Sequence, residues 1–555
     1  MTADTSFSGW VRGALWCLII AACALQVFEI EHRGIDPDEL EHLHAAYCVW
    51  SGEVPYRDFF EHHAPALYYL LQPVLELFYD LGNPRISILW RAREWMFYCS
   101  LVTLWLTGRL ARRWAGERAG LLAMALLAWT TVFHGKAIEF RPDVPATLLL
   151  LVAVSQFHFA TGGGSWRRFL KVGLLLGLAM LFTQKSLVPA AGIAVAACLA
   201  RLVSRSPVLE SAATVVARVI VPIAAGVAVV WGIASALFAT AGAVNDFWYS
   251  TWYQLWIWPV RSSRWEHLRP TLAGDLTVWV AGIFEIVMVL RNWRKSETWQ
   301  QQRGAAALVA LVCIVSLGFV KATYPQFYLL WMPLLAALAA ARVVAVCDRV
   351  ADRRTVISVI VAGECLVIAQ SLFWKRASFA GFGGALPRLT DVESANSIVL
   401  LVLAVALVAI AFAAARRQWT AAVLLAAASG MGYGVLRDVD TALWSNRMQV
   451  AAIEAVNRQV PPEGRVLDGF TGYGVLRPHA WYYWWINEYS LALAPGEELR
   501  TGLPERLKRN PPAAVLFDRN LEKLPAHVLD WIRANYEPAE PSILWLPRQA
   551  AGAGE

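Results

Sequence analysis

The chain has 555 residues, of which 57% are hydrophobic and only 16% charged, with a mean hydropathy of +0.46. Soluble domains carry roughly a quarter charged residues, so a water-soluble globule is excluded and a polytopic membrane protein is expected. A net charge of +7 and a pI near 9.0 would suit nucleic acid, but the basic residues are spread over short loops rather than gathered in a patch, and membrane topology accounts for them without a nucleic-acid partner.

A spanning helix needs about 20 apolar residues, and about thirteen windows approach that length. They open near Trp10, Ala92, Ala119, Val144, Leu170, Leu187, Thr214, Leu272, Ala305, Phe327, Thr355, Ala395 and Trp419. The first, Trp10 to Ile30, has no small-residue cleavage site followed by a polar chain, so it reads as a retained helix rather than a signal peptide. The connections at 109–118, 165–171, 201–205, 291–303, 347–354 and 415–418 are basic and fall on alternate loops. The positive-inside rule makes them cytoplasmic. Residues 31–91, 135–143, 240–271, 321–326, 374–394 and everything after about Leu436 then face outward, and an odd helix number puts the termini on opposite sides. Eight cysteines are scattered, mostly within apolar windows and without a CxxC pair, which gives no sign of a disulfide framework or zinc knuckle. The glycines at 162–164 lack the Lys and Ser/Thr of a phosphate-binding loop.

The first outer segment, 31–91, holds the densest chemistry. Asp36, Pro37, Asp38 and Glu39 precede a helical pattern in which Leu40, Leu43, Ala46 and Tyr47 share a face; a proline and acids in the first turn suit a helix N-terminus. His42 lies four residues after Asp38 and three after Glu39, so these groups project to neighbouring positions. Asp58, Glu61, His62 and His63 form a second cluster after the turn SGEVPYR. Acids and imidazoles gathered at the mouth of a membrane bundle are a functional-site hypothesis by default. A carboxylate here can act as a general base, and Glu61, His62 and His63 can hold a divalent metal ion; the base is the stronger expectation.

Two further outer turns carry cations. One runs Lys136, Glu139, Phe140, Arg141, Pro142, Asp143, and the other spans Lys321 to Tyr328 and includes Tyr324. The plain reading of the former is a solvated turn with Asp143 capping the next helix. Around one cavity, however, Lys136, Arg141, Lys321 and His63 would clamp a phosphate whose charge grows as it leaves, with Arg141 first for its planar fork. The run WYQLWIWPVRSSRW (252–265) suits an interfacial helix.

Beyond Leu436 the texture is that of a soluble domain. RVLDGF (465–470), PPAAVLFD (511–518) and SILWLP (542–547) read as strands, and LPAHVLDWIRANY (524–536) as an amphipathic helix. A small extracytoplasmic α/β domain is expected over 437–555. The aromatic run HAWYYWWINEY (479–489) reads as buried core or interface rather than a sugar platform.

The motifs DPDELEH (36–42) and GEVPYRDFFEHHAPALYYLL (52–71), RPD at 141–143 and YPQFYLLWMPLLA at 324–336 resemble the GT-C class of membrane glycosyltransferases. The branch most similar contains the protein O-mannosyltransferases and the lipid A aminoarabinose transferase, and the likeness covers roughly residues 10–436. It implies an all-α polytopic membrane bundle over 1–436, of about 13 transmembrane helices, that moves a sugar from a polyprenyl phosphate donor to a glycan, lipid or protein acceptor at the outer face of a bacterial inner membrane. Asp38 then matches the catalytic base, with Glu39 its neighbour and Asp36 a competing acid. Glu61 matches an acid near the donor phosphate or a metal, and Asp143 belongs to the site. Where the aminoarabinose branch has a Lys beside a double proline, this chain has His62 and His63 followed by Ala64 and Pro65. A base on the incoming hydroxyl and cations on the leaving phosphate make a single displacement with inversion. The alternative is a secondary transporter or flippase of a lipid-linked or glycan substrate, which would place ionisable residues near the midplane and often show repeats; here the acids sit in an outer loop and no repeat is visible.

Overall fold

A computed structural model describes residues 9–79, 85–161, 166–203, 212–257, 264–292, 298–320, 323–349 and 419–548. Its membrane part contains α1 (Gly9–His32), α2 (Pro37–Trp50), α3 (Ser87–Ala115), α4 (Glu117–Ala128), α5 (Asp143–Thr161), α6 (Trp166–Phe182), α7 (Leu187–Val203), α8 (Ala213–Thr240), α9 (Leu276–Asn292), α10 (Thr298–Ser316), α11 (Met332–Arg349) and α12 (Gly432–Leu443). Every apolar window within the described residues coincides with helix; those opening near Thr355 and Ala395, like Lys321, lie outside them.

Among the described residues, α1 and α8 are long and apolar enough to cross a membrane, and Glu266–Gly274 with α9 passes as a pair bent by 93°. Some windows are broken by polar residues that cap new helices. The window opening near Ala119 stops at Ala128, because the Thr130 side chain accepts from Phe133 N and starts the short helix Thr131–Lys136. Asp275, at the bend before α9, accepts from Thr131 N at 2.8 Å and Thr131 Oγ1 at 3.0 Å, so the two breaks hold each other.

The outer face of α8 exposes Val229, Ile233 and Leu237 at helical spacing, as a lipid-facing surface does. Its inner face packs on α6, where a Cβ at Gly173 or Gly226 would run into the opposite backbone; small residues let membrane helices approach this closely. The Ala-rich α11 lies at the centre against α3, α4 and α9, with Leu335 to Ala341 buried.

The expected domain boundary near Leu436 falls inside α12, which packs on α1. The chain leaves the bundle at Trp444, whose carbonyl accepts from Gly34 N at 2.6 Å. Asn446 N donates to His32 O at 3.0 Å, and Gln449 exchanges two 2.8 Å hydrogen bonds with the backbone of Ile35. There follow α13 (Arg447–Gln459), β1 (Val466–Asp468), β2 (Ala514–Leu516), α14 (Ala526–Asn535), β3 (Tyr536–Pro538) and β4 (Leu544–Pro547). The sheet order is β1-β2-β4-β3, with β1 and β2 parallel and the other pairs antiparallel. β1, β2, β4 and α14 stand where the sequence pattern puts them. β3 was not expected, since Tyr-Glu-Pro with only Tyr536 buried carries no strand pattern. The aromatic run is core: Trp481 and Trp485 are buried, while Trp484 Nε1 donates to Phe60 O at 3.0 Å and Tyr482 Oη to Tyr56 O at 2.7 Å, seating this unit on the first outer segment.

Candidate active site

The site begins with the start of α2. Asp36 caps the helix, accepting from Asp38 N at 3.1 Å, while Glu39 Oε2 accepts from Asp36 N at 3.1 Å, so a capping box with Pro37 in the first turn fixes where the helix begins. Glu39 turns inward. Its Oε1 accepts from Arg93 Nε at 2.8 Å and Phe140 N at 3.0 Å, and its Oε2 also accepts from Arg93 Nη2 at 2.6 Å. Both side chains are fully buried. Arg93, on α3, also donates to the carbonyls of Ile30, Arg33 and Gly34 at the end of α1. Glu39, the expected neighbour of the base, thus has its carboxylate engaged in tying α2, Arg93 and the 136–141 turn together.

Residues 136–141 bring the cations to this helix start. Lys136 Nζ donates at 2.9 Å to Asp36 Oδ2 and to both oxygens of Glu139. Arg141 pairs with Asp36 Oδ1 at 2.7 Å, with Asp38 Oδ2 at 2.6 Å and with Glu139, and Glu139 in turn accepts from Arg33 at 2.7 Å. Burial alone would raise the Asp36 carboxyl; the Arg141 and Lys136 charges outweigh it and hold it well below the usual carboxylate range. Lys136 and Arg141, the expected phosphate-binding cations, are buried here and paired with carboxylates. Of the three acids at the helix start, Asp38 is the most accessible, with its side chain 35% exposed against 23% for Asp36.

The second cluster adjoins it. Glu61 Oε1 accepts from His62 N at 2.7 Å and His63 N at 2.8 Å and lies 2.9 Å from His63 Nδ1, while its Oε2 is buried without a hydrogen-bond partner. Tyr56, at φ +73°, is a left-handed residue that only a well-held turn tolerates; its hydroxyl donates to His63 O at 2.7 Å. Glu41 joins from α2, with Oε1 3.8 Å from His62 Nδ1 and 3.9 Å from His63 Nδ1. Glu41, Glu61, His62 and His63 each offer an atom within 4.8 Å of the others, a set that fits a divalent cation. Burial, then the charges of Glu61 and Asp38, push the Glu41 carboxyl well above its usual range, and a cation would relieve that crowding. His63, expected both as a metal ligand and as a phosphate contact, lies in this carboxylate–imidazole cluster.

Asp143 is buried at the first residue of α5, not in a solvated turn, and pairs at 3.2 Å with Lys185, whose side chain is 28% exposed. Tyr324 lies against His267 with the rings tilted and their centroids 5.2 Å apart. Sequence reasoning missed Glu41, Arg93 and Lys185. Arg93 sat inside an apolar window, whereas Lys185 lies in the short connection between the basic loops 165–171 and 201–205, a cation whose place in the loop alternation was there to be read.

Residues 62–231 match the family model for dolichyl-phosphate-mannose-protein mannosyltransferase. No curated protein sequence matches the chain. Among solved structures it is similar to ArnT from Cupriavidus metallidurans bound to undecaprenyl phosphate, at 15% identity and a TM-score of 0.66 over 99% of this chain and 100% of that one. The apo state of that protein gives 14% identity and a TM-score of 0.64 over 97% and 98%. The archaeal oligosaccharyltransferase AglB from Archaeoglobus fulgidus, in complex with an inhibitory peptide and a dolichol-phosphate, is similar at 11% identity and a TM-score of 0.52 over 98% of this chain and 75% of that one. The chain thus shares the fold of these membrane proteins, and its residues 62–231 match the mannosyltransferase family model, in keeping with the resemblance that its motifs carry.

Proposed function

We propose that the protein is an integral membrane glycosyltransferase that moves a sugar from a polyprenyl phosphate donor to an acceptor hydroxyl at the extracytoplasmic face of a bacterial inner membrane, by a single inverting displacement. The acceptor is a glycan, lipid or protein, and the C-terminal α/β unit lies on the same outer side. The observation that carries this is the accessible Asp38 carboxylate at the edge of an otherwise buried ion network, in a fold whose neighbours were solved with undecaprenyl phosphate and dolichol-phosphate.

As the acceptor oxygen attacks the anomeric carbon, its proton passes to Asp38 and the bond to the phosphate oxygen breaks, the electron pair leaving on the phosphate. Arg141 holds Asp38 in place through Oδ2. Lys185, with its partly exposed ammonium, is the cation offered to the leaving phosphate. A divalent ion held by Glu41, Glu61, His62 and His63 would add positive charge there, while proton transfer stays with Asp38.

The test is Asp38→Asn, which keeps size and removes the charge. In cells carrying only this variant, lipid-linked sugars measured by mass spectrometry should accumulate as they do without the protein, and transfer should fall roughly 10²-fold or more with normal insertion. Near-normal transfer would move the base elsewhere.

A further inference from the structure

A second group of metal-ligating atoms lies where the C-terminal unit meets α2. His44 and Cys48 are four residues apart on that helix and share a face, and His479, which follows β1 in the chain, comes down onto both. His44 Nε2 lies 3.4 Å from His479 Nδ1, and Cys48 Sγ lies 3.6 Å from the same nitrogen; the ligand atoms of all three fall within 4.8 Å of one another. For tetrahedral zinc with Zn–N of about 2.0–2.1 Å and Zn–S of about 2.3 Å, the N···N edge is roughly 3.3 Å and the N···S edge roughly 3.6 Å. The measured spacings are those edges.

The surroundings are also those of a metal site. His44 Nδ1 lies 3.0 Å from Val475 O, which takes the ring proton and leaves the Nε2 lone pair directed into the cluster. The outer nitrogen of His479, Nε2, faces the Glu53 carboxylate at 3.7 Å, and Glu53 Oε2 is buried without a hydrogen-bond partner. A carbonyl and a carboxylate behind the ligating imidazoles are the outer contacts that orient metal-bound histidines. The Trp484 ring, 4.1 Å from His44, walls the cluster.

We propose that His44, Cys48 and His479 bind one zinc ion, its fourth position filled by water, and that the ion fastens the C-terminal unit to the helix carrying Asp36 and Asp38. Two imidazoles and a thiolate select zinc over magnesium or calcium. On binding, Cys48 releases its proton to solvent and the sulfur–zinc bond forms. This site is separate from Glu41, Glu61, His62 and His63, and it does not depend on the proposed reaction.

The full-length protein in detergent, stripped by a chelator, is titrated with Co2+ as a spectroscopic substitute for zinc. The expected result is a thiolate-to-cobalt charge-transfer band that saturates at one equivalent, is displaced by zinc and is lost in Cys48→Ser, with Glu53→Gln weakening binding roughly 10–100-fold. Cobalt binding without the band, or a band that survives in Cys48→Ser, overturns the proposal. As a readout that does not depend on how Cys48→Ser folds, zinc should raise the unfolding temperature of the unaltered chain, and His479→Gln should reduce that rise. A rise of the same size in His479→Gln, or no rise in the unaltered chain, also refutes it.

Discussion

Glu39→Gln changes one atom and removes one charge, in a place where the structure leaves no room for the new amide. Four N–H groups converge on the two carboxylate oxygens: Arg93 Nε and Phe140 N on Oε1, and Arg93 Nη2 and Asp36 N on Oε2. Whichever way the glutamine sits, its NH2 group faces two donors, so one hydrogen bond to the guanidinium and one to the backbone are lost together. The first alone contributes about 1.5–3 kcal/mol. Arg93 stays buried with its charge opposed only by carbonyl groups, and removing one partner of a buried ion pair costs about 3–5 kcal/mol. A loss of that size lowers the folding equilibrium on the order of 10²–10⁴-fold. It should appear as a lower denaturation midpoint of the purified protein in detergent, together with reduced transfer, because Phe140 and the start of α2 lose their common anchor. Asp38→Asn, by contrast, should lose transfer at a normal midpoint. If Glu39→Gln keeps the wild-type midpoint and loses transfer as Asp38→Asn does, Glu39 acts on the substrate itself and the positioning argument fails.

Lys185→Gln should weaken use of the lipid-linked donor while preserving the fold, seen as a raised apparent KM in reconstituted membranes; an unchanged KM would remove Lys185 from the phosphate site. Arg141→Lys retains charge but cannot bridge Asp36, Asp38 and Glu139 at once, so turnover should fall more than donor affinity, and a pure affinity loss would restore Arg141 as the phosphate clamp. Burial pushes the Asp468 carboxyl up to about 7, whereas an unfolded Asp titrates near 4. The folded chain therefore holds a proton that the unfolded chain lacks, and this contribution, on the order of 3–4 kcal/mol, is present below about pH 4 and lost as pH rises to about 7. Asp468→Asn should flatten that fall in thermal unfolding, and an unaltered pH slope would count against it. A reporter fused after Glu555 should behave as extracytoplasmic; cytoplasmic activity would mean that the loop alternation has been misread.

Composition and loop charge made the membrane class legible, because hydropathy and Lys/Arg placement act over whole segments. The start of α2 was legible too, since Asp36, Pro37 and Glu39 occupy adjacent positions and their capping roles are local. Individual ion-pair partners were not. Nothing near Arg93 in sequence marks it as the partner of Glu39, 54 residues away, and an arginine in an apolar window looks the same whether it snorkels or is buried. Arg141 and Lys136 were recognised as part of the site, but a loop read alone does not reveal that Asp36 and Asp38 lie against it. The helix breaks at Thr130 and Asp275 escaped for the same reason, as each is stabilised by the other.

The strands of backbone that join Gly34 and Ile35 to Trp444 and Gln449 span 414 residues for the Ile35–Gln449 pair, and that separation has a consequence for biosynthesis. The segment leading into Asp36 and Asp38 is made early, but its backbone partners do not exist until nearly the whole chain has been translated. At roughly 5–20 residues per second, about 20–80 s separate the synthesis of Ile35 from that of Gln449. Throughout that interval the acidic loop lacks half of its frame. The frame around Asp36 and Asp38 is thus withheld until the last part of the chain has been made, so a truncated product would insert its early helices without ever completing that frame.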